Sequence, residues 1–242
     1  MKIAVEMSGQ PRFTEDLTSL VRNIGAATTV DYFCHFWNKN DPPDKPNEPE
    51  AEYIHPLWRY NPDPVWAWSV IEKNLPQNHY LRRLEFSTQL ADSEIPNPNH
   101  QQHVYIGSVW RMWDGWKIVS EYRQEYEKQH GSYDIVIKGR PDAGFSKMID
   151  FSRENTSVIT SCNTQWHGFS KTMNDVIFYG NSQNMALLAN LMEKSLTYGI
   201  TFHPETVLAH HFNENNVQCV KGNWAYVFRT KVDGKVVWGN WI

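Results

Sequence analysis

Three polar clusters in this sequence combine residue types that can hold a charged ligand. They are residues 8–12 (SGQPR), 35–38 (HFWN) and 140–142 (RPD). The guanidinium of Arg12 can neutralise a phosphate, and the carboxylate of Asp142 can bind a divalent metal ion. A metal ion that bridges a diphosphate stabilises the negative charge that develops as the diphosphate departs. The three clusters together predict a site for a diphosphate leaving group.

Each cluster lies at the end of a predicted strand of an α/β fold. Residues 2–7 form a short apolar run, and residues 30–37 are apolar except for Asp31 and His35, which is typical of a parallel strand covered on both faces. Residues 133–138 predict a central strand that ends just before the third cluster. In open α/β sheets, ligands bind outside the carboxyl ends of the strands. The strands should therefore bring the three clusters to one edge of a sheet.

The rest of the chain adds helices and a terminal hairpin to this prediction. Apolar side chains recur every three or four residues over 108–130, which predicts a long amphipathic helix whose tryptophans belong to the core. Two apolar runs joined by Asp233-Gly234 predict a C-terminal β-hairpin. We also predict helices over residues 14–24 and 183–198 and after Pro204, and strands over residues 158–161 and 176–179.

The whole chain, residues 1–242, is predicted to be a single domain. Its 242 residues, 40% of them hydrophobic, can bury one large core. Seven of the 13 prolines lie between Pro42 and Pro64, so residues 38–64 are predicted to form a long surface loop within the domain. This region carries tryptophans that either pack onto the core or stack on an acceptor glycan over the edge of the site: Trp58, Trp66 and Trp68.

Composition narrows the class of protein. A formal net charge of −4 argues against nucleic acid as a partner. No run approaches the roughly 20 apolar residues that a membrane span needs. The three cysteines, Cys34, Cys162 and Cys219, are odd in number and widely spaced, which predicts buried thiols in a reducing compartment. We therefore expect a cytoplasmic protein without a transmembrane segment.

Five segments carry a resemblance to a known family. In chain order they are SGQPR, VDYFCHFWN, YDIVIKGRPDAGF, NDVIFYGNSQNM and HPETVLAHHF. This order resembles GT-A-type glycosyltransferases of bacterial surface-polysaccharide loci and large viruses, and the resemblance covers most of the chain. It implies a Rossmann-like α/β fold with a mixed, mostly parallel sheet flanked by helices. It also implies a nucleoside-diphosphate sugar as donor and a glycan or glycolipid hydroxyl as acceptor.

The resemblance assigns the donor site residue by residue. In the family a strand ends in an Asp-x-Asp motif that holds a metal ion and the donor diphosphate. Residues 140–142 match this position, with Asp142 as the second Asp and Arg140 in place of the first. Either Asp142 binds Mn²⁺ or Mg²⁺, or Arg140 binds the diphosphate directly and makes a metal dispensable. The donor-binding residues implied are Gly9, Gln10, Arg12, Arg140 and Asp142.

Three later residues are candidates for the chemical step. Glu205, at a predicted helix start, either acts as general base on the acceptor hydroxyl or simply favours the positive end of the helix dipole. Asp175 is a second catalytic candidate, contacting donor or acceptor, or else an exposed carboxylate at a strand edge. His203 is a metal ligand together with Asp142, as in some related enzymes, or an ordinary histidine.

Two other classes of function remain open on the sequence. A non-catalytic carbohydrate-binding module would also use the abundant tryptophans and would not need the missing Asp. A glycoside hydrolase would use Asp142 with Glu205 or Asp175 as a carboxylate pair, which must be roughly 5–10 Å apart.

The metal assignment generates the first prediction. Asp142→Asn keeps the size of the side chain but removes the negative charge that a hard cation needs. We expect it to abolish sugar transfer while leaving the melting temperature of the protein unchanged. Metal-dependent turnover that survives in this variant would contradict the assignment.

Overall fold

The computed structural model describes residues 1–9, 29–37, 64–95, 106–141, 143–162, 173–200, 203–224, 226–232 and 235–239. The strands are β1 Lys2–Gly9, β2 Thr29–Trp37, β3 His79–Ser87, β4 Ile135–Gly139, β5 Ala143–Phe145, β6 Ile159–Ser161, β7 Ile177–Gly180, β8 Cys219–Lys221, β9 Tyr226–Val232 and β10 Lys235–Gly239. The α-helices are α1 Pro64–Asn74, α2 Ile106–His130, α3 Ser182–Met185, α4 Leu191–Ser195 and α5 Pro204–Glu214. Short 3₁₀ turns cover Asp92–Glu94, Phe151–Arg153 and Ala186–Asn190.

The larger sheet is mixed and mostly parallel, as predicted. Its strand order is β3-β2-β1-β4-β7-β6-β8. Strands β1 to β4 run parallel, and β7 runs antiparallel to both β4 and β6. In the register, Gly9 pairs with Phe36 and Met7 pairs with Gly139. The carboxyl ends of β1, β2 and β4 therefore meet at one edge of the sheet, and the α/β prediction is confirmed.

Both faces of the central strands are covered, and this explains their apolar sequences. Side chains of a strand point alternately to its two faces. On β1, Ile3 and Val5 join one hydrophobic cluster, whereas Ala4 joins a second cluster on the opposite face. That second cluster contains the buried tryptophans of α2: Trp110, Trp113 and Trp116. The predicted helix over residues 108–130 and the core role of its tryptophans are both confirmed.

A close approach between α2 and the end of β1 depends on Gly115. A Cβ atom placed on Gly115 would lie 3.1 Å from both Cβ and Oγ of Ser8. Since carbon atoms rarely come that close, a larger residue would push the helix and the strand end apart. The glycine therefore sets how tightly α2 packs on the carboxyl end of β1.

A buried ion pair connects the same helix to the middle of β1. Arg123 Nε of α2 donates to Glu6 Oε1 at 2.7 Å, and both side chains are 0% exposed. Arg123 also donates to Ser182 Oγ at 2.6 Å and forms an ion pair with Glu127. Glu127 accepts a further hydrogen bond from the backbone N–H of Tyr133. One guanidinium thus joins β1, α2 and the first residue of α3.

The second sheet combines β5, which directly follows the RPD cluster in the chain, with the later strands β9 and β10. Its strand order is β10-β9-β5, with antiparallel pairing throughout. The connection at Asp233-Gly234, on which the hairpin prediction depends, lies outside the described residues. The C-terminal hairpin therefore stays a prediction.

The predicted helix over residues 183–198 is interrupted and shorter. It consists of α3, a 3₁₀ turn and α4, and it ends at Ser195. The hydroxyls of Ser195 and Thr197 donate to the backbone carbonyls of Met192 and Lys194. Such local hydrogen bonds compete with a continuous helix, which accounts for the early end.

The region around the proline-rich segment also differs from the prediction. Pro64 is the first residue of α1, where a proline is tolerated because the first N–H groups of a helix have no partner within it. Trp66 and Trp68 therefore lie on a helix, and Trp68 is partly buried against the hydrophobic core that includes Ile71. The packing interpretation is favoured for Trp68. Residues 38–63, with Trp58, and the predicted helix over residues 14–24 lie outside the described residues.

The cysteines match the prediction of unpaired thiols. All three are free; Cys34 and Cys162 are buried, and Cys219 is partly buried. None of the helices described is both long enough and apolar enough to cross a membrane.

The Glu6–Arg123 pair generates the second prediction. Arg123→Met leaves the Glu6 charge buried without its partner and should lower the free energy of unfolding by about 3–5 kcal/mol. Adding Glu6→Gln removes that charge and should restore a large part of the loss, measured as urea unfolding midpoints. Arg153→Met is the control, because Arg153 is 85% exposed in its pair with Asp150 and should change stability by less than about 1 kcal/mol. A double variant no more stable than Arg123→Met would contradict the prediction.

Candidate functional site

The carboxyl edge of β1, β2 and β4 collects several of the predicted site residues. Gly9 ends β1 with a φ angle of 114°, a backbone conformation that favours glycine. Arg140 directly follows β4, the strand that pairs with β1. Gln10, Arg12 and Asp142, which continue from these two strand ends, lie outside the described residues. The described residues thus give the two positions from which the predicted donor loops continue, Gly9 and Arg140.

Asp175 reaches this edge because β7 runs antiparallel to β4. Ile177, the first residue of β7, pairs with Gly139, the last residue of β4. Asp175 precedes β7 by two residues and therefore lies near Arg140. Burial raises the pKa of Asp175, and the positive charge of Arg140 opposes that shift. The carboxylate is thus an electrostatic neighbour of Arg140, although part of it stays in contact with solvent.

Glu205 comes to the same place from the start of α5. It lies in the first turn of that helix, behind Pro204. The backbone N–H of Met173 donates to the carbonyl of Glu205 at 3.3 Å, which holds the helix start against the segment that leads to Asp175. Its side chain is 13% exposed. Burial, and then the charge of Asp175, raise the pKa of Glu205 to about 7.

His203 stands beside Glu205 at the N-cap position of α5. Its Nδ1 lies 3.9 Å from Glu205 Oε2. Arg140, Asp175, Glu205 and His203 therefore form one continuous group, although they come from three separate parts of the sequence.

This group can support two kinds of chemistry. Arg140 is permanently charged and presents several N–H donors, so it can bind an anionic group such as a phosphate. A carboxylate with a pKa near 7 is well matched to take a proton from a hydroxyl at neutral pH. Since the charge of Asp175 adds to the effect of burial on Glu205, the protonation state of Asp175 influences that of Glu205.

A metal site is not complete within the described residues. Among them, no group of three or more His, Cys, Asp and Glu side chains is arranged to hold a metal ion. Of the two predicted ligands, His203 is described and Asp142 is not. The shared metal ion therefore stays a prediction.

Two polar residues just below the edge are central to its structure, and we did not predict one of them. Lys138, the fourth residue of β4, is 1% exposed, and its Nζ donates to Ser8 Oγ at 2.9 Å. His35, predicted within the second cluster, is also buried and bonds Ser87 Oγ through Nε2 at 2.7 Å. Burial lowers the pKa of His35 to about 4. The sequence signal that could have identified Lys138 is the presence of a lysine inside an otherwise apolar strand.

Comparison with known proteins adds no family assignment. No protein-family model matches the chain, and a search of curated proteins found no match. The case for a function therefore depends on the residues at this edge.

The raised pKa of Glu205 generates the third prediction, which concerns how the free energy of unfolding depends on pH. The pKa of Glu205 is about 7 in the fold against 4.5 for an ordinary Glu, so the folded state binds this proton more tightly. This contribution to stability is complete below about pH 4.5 and is lost as the pH rises through about 7. We expect Glu205→Gln to remove this loss, on the order of 2–3 kcal/mol. Unfolding curves from pH 4 to pH 8 measure it, with Glu214→Gln, at the exposed end of the same helix, as control. Parallel pH profiles for wild type and Glu205→Gln would contradict the prediction.

Proposed function

We propose that the protein is a glycosyltransferase that moves a sugar from a nucleoside diphosphate to a hydroxyl of a glycan or glycolipid. The observation that carries the proposal is the grouping of Arg140, Asp175 and Glu205 at the carboxyl edge of the parallel strands, with the pKa of Glu205 raised to about 7. Perturbed titratable groups at a ligand-binding edge are typical of active sites. The family resemblance assigned roles to the same residues.

Arg140 serves the leaving group in this proposal. As the bond between sugar and diphosphate breaks, negative charge builds up on the diphosphate oxygens. A fixed guanidinium stabilises this charge more in the transition state than in the bound substrate, which is what lowers the barrier.

Glu205 serves the acceptor. Its carboxylate takes the proton of the attacking hydroxyl, and its pKa of about 7 makes the proton transfer favourable while the carboxylate form is still well populated at neutral pH. Asp175 tunes this base through its charge and can accept a hydrogen bond from a sugar hydroxyl.

A divalent cation, Mn²⁺ or Mg²⁺, would add Lewis-acid stabilisation of the diphosphate. Asp142 and His203 are the residues proposed to hold it. Since Mg²⁺ in phosphate sites is usually bound by one or two carboxylates together with the phosphate oxygens, a small protein ligand set fits this role.

A glycoside hydrolase is the second candidate, because the interaction of Asp175 with Glu205 supplies a carboxylate pair in which one pKa is raised. Arg140 beside the pair favours the transferase, since a hydrolase needs no cation for an anionic leaving group. The binding-module alternative has less support, because Trp110, Trp113 and Trp116 are buried in the core and form no exposed platform for sugars.

A cytoplasmic location is part of the same proposal. It is supported by the three free cysteines, which fit a reducing compartment.

The fourth prediction tests the donor and the base. We expect a UDP-, GDP- or dTDP-sugar, with or without Mn²⁺, to raise the melting temperature, because a ligand that binds only the folded state stabilises it. With the donor so identified, Arg140→Gln should raise the donor KM or lower kcat, and Glu205→Gln should lower kcat by roughly 10²–10⁴-fold. The wild-type kcat should increase as the pH rises through about 7, since Glu205 must lose its proton, and this rise should vanish in Glu205→Gln.

Arg153→Gln, a change at an exposed arginine, is the control and should leave both constants unchanged. Cleavage of glycosides without any nucleotide would favour the hydrolase instead. Sugar binding with no nucleotide response and no turnover would favour the binding module.

A further inference from the structure

The end of β1 is tied to β4 by a side chain that reaches beyond their backbone pairing. The paired residues of the two strands end at Met7 and Gly139. Continuing this register places Ser8 level with Arg140. The ammonium of Lys138 reaches diagonally past the last pair and donates to Ser8 Oγ at 2.9 Å. One hydrogen bond therefore extends the contact between the strands to the level of Arg140.

Ser8 is also confined from the side of α2. The Cβ that Gly115 lacks would lie 3.1 Å from Ser8 Oγ. Ser8 is 8% exposed, so it is enclosed between a helix backbone and the Lys138 side chain. The residue that precedes Gly9 thus has little freedom to move.

Burying the ammonium that provides this contact has a desolvation cost. Lys138 is almost completely buried, and burial lowers its pKa to about 7, although the negative charge of Glu6 opposes that shift. Glu6, its partner across the strands, already has an ion pair with Arg123. Replacing a buried charge by an apolar side chain of similar volume is often neutral or stabilising. A residue that breaks the apolar pattern of a central strand is expected to contribute to a functional site.

We propose that Lys138 is a positioning residue of the donor site, which holds Ser8, and with it Gly9 at the end of β1, in place beside Arg140. This inference rests on the proposed function. Lys138 is buried, so it does not contact the donor itself and acts on the site through its hydrogen bond to Ser8. Its Nζ also lies over the Trp116 ring of α2, 5.6 Å from the ring centroid. Its effect is to fix the distance between the ends of two strands that carry proposed donor-binding residues, Gly9 on β1 and Arg140 after β4.

The fifth prediction measures this effect with UDP, GDP and dTDP as probes, using the nucleotide that wild type binds most tightly. Lys138→Met and Ser8→Ala should each raise its dissociation constant at least about tenfold. The melting temperature of Lys138→Met should be equal to that of wild type or higher, and kcat at saturating donor should stay within about twofold. The double variant should be no worse than either single variant, because both remove the same contact.

Ser120→Ala is the matched control. Ser120 is a fully buried serine on α2 that bonds Arg123 and Gln124 and lies away from the strand ends. Its nucleotide affinity should equal that of wild type.

The possible results distinguish a failure of this inference from a failure of the proposed function. If wild type binds none of the three nucleotides, the proposed function fails and takes the inference with it. If wild type binds but Lys138→Met binds equally well, or if the two changes add in the double variant, the inference alone is overturned. Should Lys138→Met fail to fold, Ser8→Ala decides: a tenfold loss of affinity supports the inference, and unchanged affinity overturns it.

Discussion

The buried ion pair between Arg123 and Glu6 is the constraint on which the rest of the structure depends. Both charges are removed from water, so each must find its partner, and an arrangement that separates them costs several kcal/mol. Because the guanidinium also bonds Ser182 and Glu127, few placements of β1, α2 and α3 satisfy all its donors. The pair thereby fixes the depth and rotation of α2 against the sheet. The carboxyl edge depends on this placement of α2, because Gly115 of the same helix packs against Ser8 at the end of β1.

Above this pair, the face of the sheet that meets α2 becomes steadily more polar toward the candidate site. Side chains two residues apart share a face, so the change can be followed along each strand. The sequence on this face is Ala4, Glu6 and Ser8 on β1, and Val136, Lys138 and Arg140 on β4. The opposite face of β1 stays apolar at Ile3, Val5 and Met7. A strand that belongs to the core at one end and to the candidate site at the other therefore needs only one of its two faces to change.

Long, strongly patterned elements could be predicted from the sequence, whereas elements defined by pairing could not. The strands before Gly9 and Arg140 and the helix over residues 108–130 carry clear apolar patterns. Strand β3 was missed because it lies at the end of the sheet, where Arg82, Arg83 and Glu85 interrupt its apolar residues. Strands β5 and β8 have three residues each, too few for a periodic signal. Strand β6 is equally short, and it was predicted only because Val158 and Ile159 form an apolar, β-branched start.

The candidate site divides in the same way. That Arg140 follows a central strand is readable locally. The proximity of Asp175 to Glu205 cannot be predicted from the local sequence. It depends on the antiparallel register of β7 and on the contact between Met173 and the start of α5. The two buried glutamates, Glu6 and Glu205, differ in their environments, and the difference separates a structural role from a proposed catalytic role. Glu6 has a guanidinium at 2.7 Å, so its charge is neutralised within the fold. Glu205 has another carboxylate as neighbour instead, and its pKa is raised to about 7. The proposed role of Glu205 as general base depends on this difference, because a buried carboxyl group beside a like charge holds its proton up to neutral pH.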